Sequence, residues 1–354
     1  MPTAQMTQHT HVASPLNTPR PSTAVFDILY GGPASGKSES LARLIEHVYR
    51  TTGKTARVSI GDGSAMTYYA LMDAGVVELC EYNMLDWPRT VLQNLAKGAW
   101  PVQGRWVFPN QSDPVTGWVN DLSRVGVWAC EGLTVAGDYL MGHARGGLAD
   151  LAANGQKVGQ DSPIRFVDGI LDPKTGKLLD GPGTATGGNS PAHYGVAQRL
   201  LAEAANESKL LPVDYVIWTA HEGSNDPEKD MNRELVVAPA MPGRAMTGQI
   251  QRLYGNTLHL VSVPKRVKVQ DSHTGKTTDE LDLEYRLYTR DHFSATGSVT
   301  TRFKACTRGA NDSDVPQFFV ADTPGVALLQ YYQTLARLRQ ETATRIRASI
   351  TPSQ

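Results

Sequence analysis

The chain has 354 residues, 40% of them hydrophobic and 19% charged, enough to bury one large core or two ordinary ones. Its 34 lysines and arginines balance 35 aspartates and glutamates, so no global basic field draws it to nucleic acid or a membrane surface. The three cysteines, Cys80, Cys130 and Cys306, fit neither a disulfide framework nor a metal-ligand spacing and read as reduced thiols of a cytoplasmic protein.

Residues 1–22 are polar, hold Pro15, Pro19 and Pro21, and read as a disordered tail without the apolar stretch of a secretory signal. The predicted core covers residues 23–322, and residues 323–354 form a C-terminal helix and tail. Ala24 to Tyr30 is a short apolar run suited to a buried strand, and Gly31 to Gly36 is a turn. From Lys37 to Tyr49, the residues Leu41, Leu44, Ile45 and Val48 share one helical face. Thr55–Ile60 and Val76–Tyr82 read as strands around a helix over Ala65–Ala74, which Gly75 closes. Asp86 caps a helix that runs to Lys97, with Pro88 in its first turn. Residues 98–120 hold Trp100, Trp106 and Trp118 but no periodicity. Val125 to Cys130 is a further apolar strand, ending at Glu131.

A polar, Gly-rich stretch follows over residues 142–190, with a hairpin turn at Asp172–Lys177. Tyr194–Ser208 is helical by pattern, Tyr215–Ala220 is a strand, and residues 223–248 form a second polar loop. Leu258–Val263, Arg266–Val269 and Leu283–Arg290 alternate like strands, and Thr323–Arg347 is the terminal helix. Strands alternating with helices predict an α/β fold with a mainly parallel sheet covered on both faces. No run of about 18 apolar residues spans a membrane.

The segment Gly31-Gly32-Pro33-Ala34-Ser35-Gly36-Lys37-Ser38 matches G-x-x-x-x-G-K-[ST] without a mismatch. A polyphosphate needs several backbone N–H donors at close range, which glycines permit because no Cβ stands in the way. The helix starting near Lys37 aims its amides and dipole at the phosphates. Lys37 supplies charge to the β and γ oxygens, and the Ser38 hydroxyl serves Mg²⁺. The predicted ATP-binding segment runs from Gly31 through Glu39.

Such a site needs an acid near Mg²⁺ at the end of a neighbouring buried strand, and Glu131 is the candidate. His221, at the end of the strand over Tyr215–Ala220, is the candidate sensor of the γ-phosphate. Asp62, after the second strand, is the candidate base or water-orienting acid. Each also has a plainer reading: a solvated strand-end Glu, a loop His, and a turn Asp between glycines.

With these residues the chain resembles the RecA-type recombinase ATPases. More narrowly, it resembles phage-encoded, core-only RecA-like nucleotide-binding proteins linked to single-strand annealing. Gly31–Ser38, the spacing from Arg57 to Val76, Glu131-Gly132-Leu133-Thr134 and Thr219-Ala220-His221-Glu222 carry the likeness, which spans roughly residues 24–293. It implies a RecA-like P-loop core, ATP and Mg²⁺ as ligands, and self-assembly into a ring or filament. It further implies DNA recombination, annealing or repair in the host cytoplasm of a phage. The family's catalytic Glu falls on Gly63, beside Asp62, and Glu131 stands where the family has Asp; both departures bear on hydrolysis more than on binding.

The resemblance also implies that Lys265, Arg266 or Lys268 acts across a subunit interface as a cationic finger. The two polar loops would track single-stranded DNA. The plainer readings are a solvated basic strand and two surface insertions. Two other functions remain open: a P-loop motor, such as a helicase or packaging ATPase, and a nucleotide-gated assembly protein that hydrolyses little.

Overall fold

Val25–Gly31 (β1) is buried along its whole length, and its side chains alternate between two cores. Phe26, Ile28 and Tyr30 face one of them, and Val25 and Leu29 face the other. This period of two is that of a strand covered on both faces. The structure is a computed structural model. It describes residues 25–61, 63–81, 88–141, 170–171, 178–180, 191–224, 236–242, 250–270, 277–294, 297–299 and 315–350.

After β1 come Lys37–Thr52 (α1), Thr55–Ile60 (β2), Tyr69–Asp73 (α2), Val77–Glu81 (β3) and Pro88–Ala96 (α3). Next are Trp100–Val102 (β4), Arg105–Val107 (β5), Val125–Glu131 (β6) and a helix over residues 133–141 (α4). Ile170–Leu171 (β7), Leu178–Asp180 (β8), Pro191–Ser208 (α5), Tyr215–Ser224 (β9) and Val236–Pro239 (β10) follow. The chain continues through Asn256–Gln270 (β11), Thr277–Tyr288 (β12), His292–Ser294 (β13), Gly297–Val299 (β14), Phe318–Ala321 (β15) and Val326–Ile350 (α6).

The main sheet runs β3-β2-β6-β9-β1-β11-β12-β15. Strands β3 to β11 are parallel, and β12 and β15 close that edge antiparallel. Beyond β6, the end of β9 pairs antiparallel with β10, which carries the β14–β13 hairpin. The architecture is thus α/β with a mostly parallel mixed sheet, as the alternation of elements predicts. No helix among the described residues is long and apolar enough to cross a membrane.

Helix α1 buries Leu41, Leu44, Ile45 and Val48, the four positions its periodicity picks out. Each such side chain contributes about 1.5–3 kcal/mol on leaving water. Gly53 ends the helix in the left-handed region and donates its N–H to Tyr49 O at 2.8 Å. Helix α6 packs on the same face of the sheet through Leu328, Tyr331, Tyr332, Leu335 and Leu338. The opposite face is filled by α3, α4 and α5 against Trp128 and Trp218.

Several segments differ from expectation. The two strands expected around Arg266 are one strand, β11, which continues through Pro264. Past Leu260 it pairs with β12 alone, so the missing proline N–H breaks no ladder on a central strand. The loop expected over residues 223–248 contains β10. The helix expected over Ala65–Ala74 splits into a 3₁₀ turn, Ser64–Tyr68, and the short α2.

Residues 98–120 form an insertion with its own β4–β5 hairpin. Its anchor is Arg57 on β2, whose guanidinium lies 5.4 Å from the Trp100 ring centre and 5.1 Å from that of Trp118. Arg57 also pairs with Glu78 at 2.6 Å and donates to Asn120 Oδ1 at 2.5 Å. The Asn120 amide donates in turn to Gly98 O and Val107 O, so this buried group is satisfied.

Candidate phosphate-binding site

The parallel strands bring the C-terminal ends of β1, β2, β6 and β9 to one rim, where open α/β sheets bind ligands. Gly31 ends β1 so close to β11 that a Cβ there would stand 2.1 Å from the Leu260 carbonyl oxygen. Gly36 has φ 88°, and a Cβ on it would meet the Tyr285 ring at 3.1 Å and Pro324 at 3.2 Å. Both glycines of the motif therefore have a steric cause. Ala34 also takes a positive φ, 57°, and is exposed with Pro33.

The Lys37 ammonium bends back over the loop. It donates to Gly31 O at 3.0 Å, Gly32 O at 2.9 Å and the Ser35 hydroxyl at 3.4 Å. Ser35 is buried beneath it. Ser38 lies in the first turn of α1, and its carbonyl accepts a bond from the Tyr68 hydroxyl at 3.3 Å. Glu39 turns away from the loop and pairs with Arg43 at 3.3 Å on the exposed side of α1.

Glu131 is the last residue of β6 and is buried. Ser64 donates to its Oε2 at 2.5 Å, and its backbone carbonyl accepts from Gly61 N–H at 3.3 Å. β9 stands between β6 and β1, so Glu131 lies one strand removed from the strand that carries the loop. Asp62 lies outside the described residues. Its neighbour Gly63 has φ 81° and open space where a side chain would be.

The tips of β6 and β9 are fastened together. Gly132 N–H donates to the Thr219 hydroxyl at 3.2 Å, and His221 N–H donates to that of Thr134 at 3.0 Å. Thr134 passes the chain on to Ala240 O, and Ala240 N–H returns to His221 O. His221 sits opposite Gly31 in the register, but its backbone makes these contacts. Its Nδ1 is buried and has no hydrogen-bond partner among the described residues.

The next residue, Glu222, is the one that reaches the loop, a role that the sequence alone does not assign to it. Its Oε2 lies 3.0 Å from His259 Nε2. A Cβ on Gly32 would stand 3.2 Å from its Oε1. The His259 hydrogen bond, with lesser help from Lys37 and the Gly32 N–H, holds the Glu222 carboxyl below the usual carboxylate range. Buried His259 stacks on Tyr30 at 4.6 Å and contacts His292 Nε2 through Nδ1 at 3.4 Å. His292 stacks on Tyr288 at 3.6 Å, and burial pushes its basicity down. The signal in the sequence was the fragment Thr219–Glu222 itself: a strand four residues longer than expected carries Glu222 onto the rim.

Lys265, Arg266 and Lys268 lie on β11 where it extends past the loop. Lys265 pairs with Asp322, and with Asp282 at 4.0 Å, within the same chain. Arg266 and Lys268 are exposed. The cations expected to meet DNA in the two polar loops, His143 to Lys177 and Lys229 to Arg244, lie outside the described residues. Within the first of these loops the described residues are the β7–β8 pair flanking Asp172–Lys177.

No protein-family model matches the chain, and no curated protein matches it in sequence.

Proposed function

We propose that this protein is a RecA-like P-loop ATPase that binds Mg·ATP on Gly31–Ser38 and acts on DNA in recombination, annealing or repair. One observation carries the nucleotide reading. A lysine ammonium is folded over a loop in which Gly31 has no room for a Cβ and Gly36 takes a positive φ, between a buried strand and the N-terminus of a helix. That arrangement presents amides, a dipole and a positive charge to one anion.

The donor set suits a hard cation held together with phosphate: one hydroxyl, Ser38, and one buried carboxylate, Glu131. Bound Mg²⁺ would draw charge from the phosphoryl oxygens. Lys37 would leave its loop carbonyls for the β and γ oxygens, and α1 would hold the β-phosphate at its N-terminus. Ser64 fixes the Glu131 carboxylate for the metal. Asp62 keeps its proposed role in orienting water, and His221 its proposed role as sensor.

Single-stranded DNA and further copies of the chain are the proposed partners, on the resemblance of the four motif segments. Lys265, Arg266 or Lys268 would then complete a neighbour's site. The open position at Gly63 favours a second reading, nucleotide-gated assembly with little hydrolysis. One experiment separates them: ATP turnover with and without single-stranded DNA, and particle mass with and without a non-hydrolysable analogue. Turnover that DNA stimulates, with nucleotide-dependent oligomers, supports the first reading. Oligomers without turnover support the second, and neither response defeats both.

A further inference from the structure

We propose that Glu222 is an internal anion on the phosphate loop, which the terminal phosphate of a nucleoside triphosphate must displace. The proposal rests on the nucleotide reading of the loop. Its geometry is independent of that reading: a carboxylate bridges the loop and a buried histidine, with Oε1 toward Gly32 and Oε2 on His259 Nε2 at 3.0 Å. Gly32 N–H and the Lys37 ammonium, two groups that would serve a phosphate, both act on this carboxylate. A terminal phosphate held by Lys37 brings like charge against it, and like charges at that range repel. A diphosphate lacks the γ-phosphate and would bring less negative charge against it.

The displaced side chain has somewhere to act. The Arg290 carbonyl can only accept, so His292 Nδ1 donates to it at 3.2 Å. In a neutral His292, Nε2 then accepts, and His259 Nδ1 donates to it at 3.4 Å. The remaining ring nitrogen, His259 Nε2, faces the Glu222 carboxylate at 3.0 Å. The groups around this chain are Lys37, Tyr30, Tyr288 and Asp291.

The path closes on itself. His292 begins β13, β13 pairs with β14, β14 with β10, and Pro239 of β10 pairs with Glu222 on β9. Moving the Glu222 side chain breaks one link of a ring whose other links are the His259–His292 contact and backbone ladders. Loading of the loop would thus be felt at the β10–β14–β13 edge.

The test titrates Mg·ATP and Mg·ADP calorimetrically into the full chain and into Glu222→Gln, which keeps the shape and removes the charge. We expect the variant to bind ATP about tenfold more tightly, the scale of one lost like-charge neighbour, and ADP with little change. Wild-type binding of ATP with no gain in the variant would overturn the proposal and leave the nucleotide reading standing. Absence of binding by the wild type to either nucleotide would overturn both. In the wild type, the imidazole resonances of His259 and His292 should shift with ATP and stay in place with ADP. Equal responses to the two nucleotides would contradict displacement by the terminal phosphate.

Discussion

The Ser64 hydroxyl donates to the Glu131 carboxylate at 2.5 Å, so a turn after β2 orients the acid at the tip of β6. The two residues are far apart in sequence and meet because Ile60 and Glu131 are register partners. If Glu131 serves the metal, Glu131→Gln should lower Mg²⁺-dependent turnover by about a hundredfold. Ser64→Ala should lower it by about tenfold, the scale of losing an orienting partner. Steady-state rates over a magnesium titration check both; full activity in Glu131→Gln would move the metal acid elsewhere.

Gly31 has no room for a methyl group. With Leu260 O at 2.1 Å from the added Cβ, Gly31→Ala must push β1 and β11 apart. A destabilisation of about 3 kcal/mol or more is expected, read as a lowered denaturation midpoint. Gly63→Ala meets no neighbour and should cost only about 1 kcal/mol for its positive φ.

Asp27 sits fully buried in β1 and accepts from Asn256 N–H at 3.0 Å, from the Asn256 amide at 2.7 Å and from the Tyr332 hydroxyl at 3.2 Å. Burial outweighs these donors and pushes its carboxyl up from 3.8 to about 7. Between those values the folded chain holds a proton that the unfolded chain has lost. Asp27 therefore supports folding most fully below pH 3.8, loses that support as pH rises toward 7, and levels off above it. The slope should be at most about 1.4 kcal/mol per pH unit. Chemical denaturation of wild type and Asp27→Asn across this window checks it: the variant should lack that part of the slope.

Arg57 holds the insertion to the sheet. Arg57→Ala would leave Asn120 Oδ1 without its donor and remove the cation between Trp100 and Trp118. About 3 kcal/mol of stability should be lost. The near-ultraviolet circular dichroism of the tryptophans should change with it.

The loop from Gly31 to Ser38 was legible because its chemistry is local: backbone, one lysine and one hydroxyl within eight residues. Helix α1 was legible because its four apolar positions keep one period. Glu131 was legible as a strand end, but its partner Ser64 was not, since that contact depends on the β2–β6 register. Glu222 escaped for a related reason. Its meaning comes from Gly32 on one strand and His259 on another, and no spacing in the chain joins the three. Residues 98–120 gave no pattern because their order comes from one arginine on β2 and two tryptophans, not from periodicity.

Calorimetric titration of Mg·ATP into wild type and Lys37→Ala tests the central claim most directly. The wild type should bind at one site per chain, and the variant, still folded by circular dichroism, should lose binding by about a hundredfold or more. Equal affinity in the two proteins would contradict the account, because the ammonium folded over Gly31 and Gly32 would then hold no phosphate.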